Sequence, residues 1–139
     1  MAISANVALG ANQSWIVATN QSLTVSGVLS GGGTLYKDGF GALSLNGANT
    51  FTGSFKNNGG QVWINNSSAL GSGTKTIYIA NNNVGAGLHL NGTNGNITLP
   101  GSFTYIVSED KGTIINEAGT TSLMATCMSS AVAARPTWW

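Results

Sequence analysis

The fold of this chain is decided by the stretch GGGTLYKDGFGALSLNGANTFTGSFKNNGGQVWINNSSALGSG, which runs from Gly31 to Gly73. Its apolar residues stand two apart, as Leu43 and Leu45 do, and turns of Gly, Asn, Ser and Thr separate the short apolar groups. No helical period joins these groups, so the stretch predicts short β-strands connected by tight turns. We interpret it as one unit of a β-solenoid.

Comparable apolar positions recur along the chain at a nearly constant distance. The step from Val25 to Leu45 is 20 (45 minus 25), and the step from Leu45 to Ile64 is 19 (64 minus 45). A step of about 20 residues lies in the lower range for solenoid repeats. Beyond Ile64 the step becomes uneven, since it falls to 15 at Ile79 (79 minus 64) and to 11 at Leu90 (90 minus 79). Some of these positions are therefore expected to lie on successive strands of a single turn.

Short strands are predicted along most of the chain, and each ends in residues typical of turns. Four Asn-Gly dipeptides, which begin at Asn46, Asn58, Asn91 and Asn94, could by themselves join antiparallel hairpins in a sandwich or barrel. The step of about 20 residues favours the solenoid instead. The predicted strands are residues 6–9, 14–18, 22–26, 34–37, 42–46, 52–56, 61–65, 75–80, 87–91, 96–99, 103–108 and 113–116.

The composition narrows the class of protein. Charged residues make up 6% of the 139 residues, against about 25% in an average soluble protein, and the net charge is +1. The lysines and the arginine are scattered, so no basic stripe is available to bind nucleic acid. Because 42% of the residues are hydrophobic and recur regularly, we expect a folded single domain with a substantial core.

No membrane-spanning or targeting segment is visible in the sequence. No apolar segment reaches the length of about 18 residues that a membrane helix needs. The start, MAISANVALGANQSW, lacks the basic and apolar regions of a signal peptide. Cys127 is the single cysteine, which excludes an intrachain disulfide and a cysteine-rich metal site. If the parent protein is exported, we expect the chain to be an internal piece of it.

Residues capable of catalysis are few and poorly placed. His89 has no Ser-His-Asp or Cys-His arrangement around it, and its apolar neighbours on both sides predict an outward position on a strand. Glycoside hydrolysis needs two facing carboxylates, whereas Glu109 and Asp110 are adjacent and Asp38 and Glu117 are isolated. Calcium-binding Gly-Gly-x-Gly-x-Asp repeats are also absent from the sequence. The sequence therefore predicts no catalytic residues, no metal site and no cofactor.

Three ring-bearing side chains are candidates for ligand contact. Trp63, Tyr78 and His89 each stand between two apolar residues, so strand alternation places all three outside the core. Outward rings stack on sugar faces or anchor a partner. We therefore expect a contact stripe made of Trp63, Tyr78 and His89, unless the three lie on different faces of the coil.

The segment GFGALSLNGANTFTG, residues 39–53, resembles the passenger-associated repeat of bacterial autotransporters, also known as the autotransporter-associated β-strand repeat. The resemblance is clear over residues 3–80 and is one of general character over 81–121. Phe51 stands where Tyr is common, and residues 55–58 depart from the usual small residues before the Gly-Gly turn. The motif positions are Gly39, Gly41, Leu43, Leu45, Gly47, Asn49, Phe51, Gly53 and, in the following turn, Gly60.

The residues of the motif also have a physical explanation that does not depend on the family resemblance. Leu43 and Leu45 are expected to point inward, and Gly41, Gly47 and Gly53 are expected at corners that side chains would obstruct. Asn49 suits a bend at which its amide bonds to the backbone of its own or a neighbouring turn. The resemblance itself implies an all-β fold, a right-handed single-stranded parallel β-helix, on an exported protein and without catalytic residues.

The final residues, SLMATCMSSAVAARPTWW, break the strand pattern. Their apolar residues have helical spacing, Ser122 is a plausible N-cap, and Pro136 lies beyond the expected end. We therefore divide the chain into coils over residues 1–121 and an atypical tail over 122–139. The tail is expected to be a short C-terminal helix, an irregular cap or a non-native extension, since an open solenoid end benefits from a cap.

These inferences define two functions of different classes. The resemblance implies a non-catalytic stalk or scaffold for adhesion in a secreted or surface-displayed bacterial protein, where stacking of coils also assists export. Its partners would be adjacent β-helix repeats of the same parent protein and a cell-surface glycan or host surface, with no nucleic acid and no membrane insertion. The alternative is a carbohydrate-binding module or phage tail-fibre segment, with a β-sandwich or trimeric β-prism and outward aromatic residues that contact glycan.

Overall fold

The computed structural model describes residues 1–80, 85–108, 111–123 and 126–129 of the chain. These residues form β-strands and no helix. The strands are β1 (Ala2–Ile3), β2 (Val7–Leu9), β3 (Gln13–Ile16), β4 (Ser22–Val25), β5 (Leu29–Gly31), β6 (Leu35–Asp38), β7 (Ala42–Leu45), β8 (Phe55–Asn57), β9 (Gly60–Ile64), β10 (Lys75–Ile79), β11 (Ala86–Asn91), β12 (Ile97–Leu99), β13 (Phe103–Val107), β14 (Gly112–Ala118), β15 (Thr121–Leu123) and β16 (Thr126–Ser129).

The strands coil into a β-solenoid of about five turns. A first sheet has the order β1-β4-β7-β9-β11-β14, and a second sheet has the order β3-β6-β8-β10-β13-β16. Two narrower sheets pair β2 with β5 and β12 with β15. All pairings among the described strands are parallel. The predicted all-β solenoid is thus confirmed, and the antiparallel hairpins of a sandwich or barrel do not form in these residues.

The strand register confirms the spacing found in the sequence. Val25 pairs with Leu45 and Leu45 pairs with Ile64, so each of the two predicted steps is one turn of the coil. Ile64 pairs with Leu90, whereas Ile79 lies in the second sheet. The uneven spacing therefore arises because Ile79 and Leu90 are on successive strands, as predicted.

Apolar side chains from both sheets stack into columns that fill the interior. Parallel pairing in register places the residues of successive turns about 4.8 Å apart. Burying one such side chain contributes about 1.5–3 kcal/mol. The longest fully buried columns are Val25, Leu45, Ile64 and Leu90 in the first sheet, and Leu35, Phe55, Ile77 and Tyr105 in the second. Leu43, as predicted, also points inward.

Glycines allow the corners of successive turns to lie directly on one another. A Cβ atom built on Gly47 would lie well inside van der Waals contact with the carbonyl oxygen of Gly27, and one built on Gly53 would meet that of Gly33 in the same way. Gly41 is similarly close to the backbone of the preceding turn. The prediction that these corners exclude side chains is confirmed, and its cause is the close approach of two backbones rather than a positive φ.

Asn49 joins three successive turns through its buried amide. It is 2% exposed, its Oδ1 accepts a hydrogen bond from the Leu29 N–H at 2.8 Å, and its Nδ2 donates to the Ala69 carbonyl at 2.6 Å. The predicted bond to a neighbouring turn's backbone is therefore confirmed on both sides. Phe51, which stands where Tyr is common, is fully buried beside it in the core cluster.

The predicted C-terminal helix is wrong over the described part of the tail. β15 pairs with β12 and β16, which contains Cys127, pairs with β13. The exposed edges of β12 and β13 offer hydrogen bonds to any extended segment, and this template outweighs the helical spacing of the apolar residues. β15 also crosses the predicted boundary between residues 121 and 122. Residues 124–125 and 130–139, with Pro136, lie outside the described residues.

Two lysines are buried, although nothing in their sequence surroundings marks them. Lys37 is 0% exposed, and its Nζ donates to the carbonyl oxygens of Gly39 at 2.6 Å, Gly41 at 2.6 Å and Gly59 at 2.7 Å. The lysine therefore joins the turn that contains Gly39 and Gly41 to the following turn at Gly59, and its ammonium group supplies hydrogen bonds to three buried carbonyls.

Lys75 is also buried, and it lies near Phe51 and Leu70. Its Nζ donates to the carbonyls of Phe51 at 2.5 Å and Leu70 at 3.0 Å, and lies 3.9 Å from the centre of the Phe51 ring. Burial lowers the pKa of both Lys37 and Lys75 to about 8, and for Lys37 the charge of Asp38 opposes this shift. Burial raises the pKa of Tyr105 above its ordinary value of 10.0.

These pKa shifts predict that the folded state becomes more stable as the pH rises from about 8 to 10. In that range the unfolded chain keeps protons on Lys37 and Lys75 that the folded chain has lost, so the free energy of unfolding increases with pH. Above pH 10 the raised pKa of Tyr105 opposes the trend. Urea unfolding at each pH measures the slope. The variant Lys37→Met/Lys75→Met should lose it and Lys56→Met should keep it; an unchanged slope in the double variant would contradict the assignment.

Candidate functional site

The outward face of the first sheet carries one continuous row of side chains. Strand register aligns these residues across successive turns, and they alternate with inward core positions. We call this alignment the outer row; it consists of Thr24, Ser44, Trp63, His89 and Ile115. Two small hydroxyl residues are therefore followed by two ring systems.

Trp63 and His89 form a stacked pair within the outer row. Their ring centres are 4.2 Å apart and their planes differ by 12°. His89 Nδ1 lies 2.5 Å from Glu117 Oε1, and His89 Nε2 lies 2.6 Å from Gln61 Oε1. Because both ring nitrogens have partners, the imidazole plane is fixed and supports one face of the indole.

His89 lies on the outward side of its strand, as predicted, but it is not a surface residue. It is 8% exposed because Trp63, Gln61 and Glu117 surround it. Both hydrogen-bonding partners are 28 residues away in the sequence, in opposite directions. The steps of 20 and 19 residues between Val25, Leu45 and Ile64 are shorter than these separations of 28 residues. The sequence spacing therefore gave no indication that His89 would contact Gln61 and Glu117.

Tyr78 lies away from the other two rings, in the second sheet. There it is aligned with Lys56 and Tyr36, and Lys56 Nζ lies 4.7 Å from the centre of the Tyr78 ring and 5.5 Å from that of Tyr36. The structure thus brings Trp63 and His89 together and places Tyr78 on another face. A single stripe of all three does not form, because β9 and β10 are successive strands of one turn and belong to different sheets.

A polar groove lies over the part of the outer row that precedes Trp63. It has a volume of about 560 Å³ and is lined by Thr24, Ser44, Asn46, Asn65, Asn66 and Asn94. Asn65 Nδ2 donates to Asn46 Oδ1 at 2.5 Å, and Asn91 Nδ2 donates to Asn65 Oδ1 at 2.7 Å. This ladder of amides holds the side chains along one wall in fixed orientations. None of the lining residues carries a charge.

Of the carboxylates noted in the sequence, the two that the structure describes, Asp38 and Glu117, are not brought together. Asp38, in the second sheet, accepts hydrogen bonds from the hydroxyl of Ser14 and from Asn58 Nδ2. Glu117, in the first sheet, contacts His89, and Glu109 and Asp110 lie outside the described residues. Within residues 1–80, 85–108, 111–123 and 126–129, no group of three or more His, Cys, Asp or Glu side chains is placed to hold a metal ion.

Comparison with known proteins identifies one curated relative. Over 95 residues the chain is 40% identical to the adhesin BmaC autotransporter of Brucella suis biovar 1 (strain 1330). The chain is related in sequence to an autotransporter adhesin. The match covers 67% of the chain but 3% of that adhesin, so the chain spans a small fraction of its relative's length. No family model and no solved structure matches the chain.

Similarity to an autotransporter adhesin agrees with two observations already made. The motif at residues 39–53 resembles autotransporter repeats, and the described strands form a parallel solenoid. Together they fit a structural or adhesive segment of a cell-surface protein. In the part of the chain that the structure describes, no helix has the length and apolar character required to cross a membrane.

Proposed function

We propose that the chain is a non-catalytic rod segment of a surface-displayed or secreted bacterial protein, in which it spaces adhesive parts from the cell and assists export. The observation that carries this proposal is the uniformly parallel pairing of its strands, each turn lying on the one before. A solenoid of this kind gains stability turn by turn, since each repeat contacts its neighbours alone. Export can then proceed with one turn folding on the previous one.

One end of the solenoid is suited to contact with another coil, which supports adjacent coils of the same parent protein as its partners. Among the described strands, β1, β2 and β3 each pair on one side, which leaves an open sheet edge at this end. Such edges template the addition of further strands. An apolar groove of about 250 Å³ lies at the same end, and Ile16, which lines it, is 78% exposed. A preceding coil would cover both the edge and the groove.

Two observations support a non-enzymatic role. The similar curated protein is an adhesin, and Asp38 and Glu117 lie in different sheets rather than facing each other across a groove. Glycoside hydrolysis needs two carboxylates about 5–9.5 Å apart on either side of the bond. We therefore expect the purified chain to release no product from polysaccharides, and turnover of any of them would contradict this part of the proposal.

Deletion of one whole turn tests the rod. Leu23 pairs with Leu43, so removing residues 23–42 deletes one complete pairing interval and leaves the remaining strands in register. We expect this variant to keep its β-type circular dichroism and a cooperative thermal transition. When fused to an autotransporter membrane domain, it should also remain accessible to protease on intact cells.

Deletion of half a turn is the matched control. Removing residues 23–32 shifts every preceding strand out of register, and a register error moves core side chains out of their columns. This variant should lose both cooperative unfolding and surface exposure. Equal behaviour of the two deletions, whether both fold or both fail, would overturn the modular rod.

A further inference from the structure

We propose that the first sheet carries a binding site for a neutral sugar, formed by the face of Trp63 opposite His89 and by the polar groove that begins at Ser44. The site goes beyond the proposed rod function, because it makes one turn of the rod adhesive in itself. The geometry points to it through three features: the orientation of the indole, the small residues next to it, and the uncharged polar lining of the groove.

The indole presents one face along the solenoid axis. Trp63 and His89 are aligned on neighbouring strands and their rings are parallel within 12°, so both rings lie across the axis. His89 covers one face of Trp63 at 4.2 Å between ring centres. The other face therefore looks toward the turn that contains Ser44.

Ser44 and Thr24 leave space in front of that face. They occupy the next two positions of the outer row, and neither side chain is large enough to form a third layer on the indole. Two turns span about 10 Å at the usual strand spacing. A pyranose ring at van der Waals distance from the indole, about 4 Å, fits within this interval. It would take the place of the ring that is missing from the row at Ser44.

The groove supplies the hydrogen bonds that sugar hydroxyls require. Hydroxyl and amide groups both donate and accept, as do the hydroxyls of a pyranose. Asn46 and Asn65 are already oriented by their mutual bond, so little conformational entropy is lost when a ligand binds. Because the lining residues carry no formal charge, the site favours a neutral sugar over a uronate or sialate. An aromatic wall with a few fixed polar groups is the usual composition of such sites.

The stack behind Trp63 makes the platform rigid. Glu117 and Gln61 hold the two nitrogens of His89, and His89 in turn supports the indole. A ring that is fixed before binding loses less rotamer freedom in the complex. His89 and Glu117 are therefore positioning residues for Trp63, and His89 has too little exposed surface to contact the sugar itself.

Calorimetric titration of the folded chain with a panel of oligosaccharides tests the site. The neutral probes are oligomers of glucose, galactose, mannose and N-acetylglucosamine, and the acidic probes are sialylated and uronate oligomers. We expect at least one neutral oligomer to bind, and Trp63→Ala to weaken it tenfold or more. Ser44→Trp, which fills the space in front of the indole without touching the core, should abolish binding. Tyr78→Ala, on the second sheet, is the control and should bind as the unchanged chain does.

The thermal transition of each variant separates loss of the site from loss of the fold. Three results would overturn the proposal: no neutral oligomer binds at millimolar concentration, binding survives both Trp63→Ala and Ser44→Trp, or acidic oligomers bind more tightly than neutral ones. If the chain unfolds cooperatively and yet binds no sugar, the sugar site is refuted and the rod proposal is unaffected.

Discussion

Replacing Gly53 by alanine is expected to destabilise the solenoid by about 3 kcal/mol or more, at the upper end of overpacking effects. The added Cβ would be forced against the carbonyl oxygen of Gly33 in the preceding turn. That oxygen belongs to the backbone, so a side-chain rotation cannot relieve the contact. The two turns would have to move apart, which also weakens the neighbouring strand pairs.

Gly10→Ala is the matched control for this prediction. A Cβ on Gly10 would meet no atom within 4 Å, and its φ lies outside the left-handed region, so the same chemical change should alter stability by less than about 0.5 kcal/mol. Urea unfolding of the two variants, followed by circular dichroism, measures the difference. Equal stabilities would show that the corner does not depend on close contact between backbones.

Replacing Asn49 by alanine is expected to cost about 2–5 kcal/mol, because it leaves two buried backbone groups without partners. The N–H of Leu29 and the carbonyl of Ala69 belong to different turns, and the Asn49 amide bonds to both. Each unsatisfied buried group costs about 1–3 kcal/mol. The variant also loses the connection between the turn before and the turn after.

Asn12→Ala provides the control for Asn49. Asn12 Oδ1 accepts a hydrogen bond from the Thr34 N–H at 2.9 Å, which is the same kind of bond between turns, but its position is exposed. Water can replace the lost acceptor there, so we expect a loss of about 1 kcal/mol or less. Chemical unfolding of both variants gives the comparison. If Asn12→Ala costs as much as Asn49→Ala, burial is not the source of the effect.

The strands and the core could be predicted from the sequence because both depend on local patterns. Alternation at Leu43 and Leu45 indicated the inward face, and the repeated spacing of Val25, Leu45 and Ile64 indicated which residues stack. The function of Asn49 also followed from its place at a bend. These features repeat from turn to turn, so a single chain contains several instances of the same signal.

The candidate site could be predicted in part. Alternation indicated that Trp63 and His89 lie outside the core. It did not indicate that Tyr78 lies in a different sheet, because spacing does not show which strands share a sheet. The contacts of His89 with Gln61 and Glu117 depend on the lengths of the turns between them. The burial of Lys37 depends on the path of the glycine corners around it. None of these leaves a periodic signal in the sequence.

Turn length differs within this solenoid although the columns remain aligned. The sequence offset between Ser44 and its partner Trp63 is 19 (63 minus 44), whereas the offset between Tyr78 and its partner Ile106 is 28 (106 minus 78). The longer interval contains an additional strand, β12, that has no counterpart between Ser44 and Trp63, together with the connections on either side of it. Insertions and deletions at these connections would therefore be tolerated in evolution far better than substitutions in the interior. Related proteins can diversify by lengthening such loops, and so acquire new surface features while the scaffold beneath them stays unchanged.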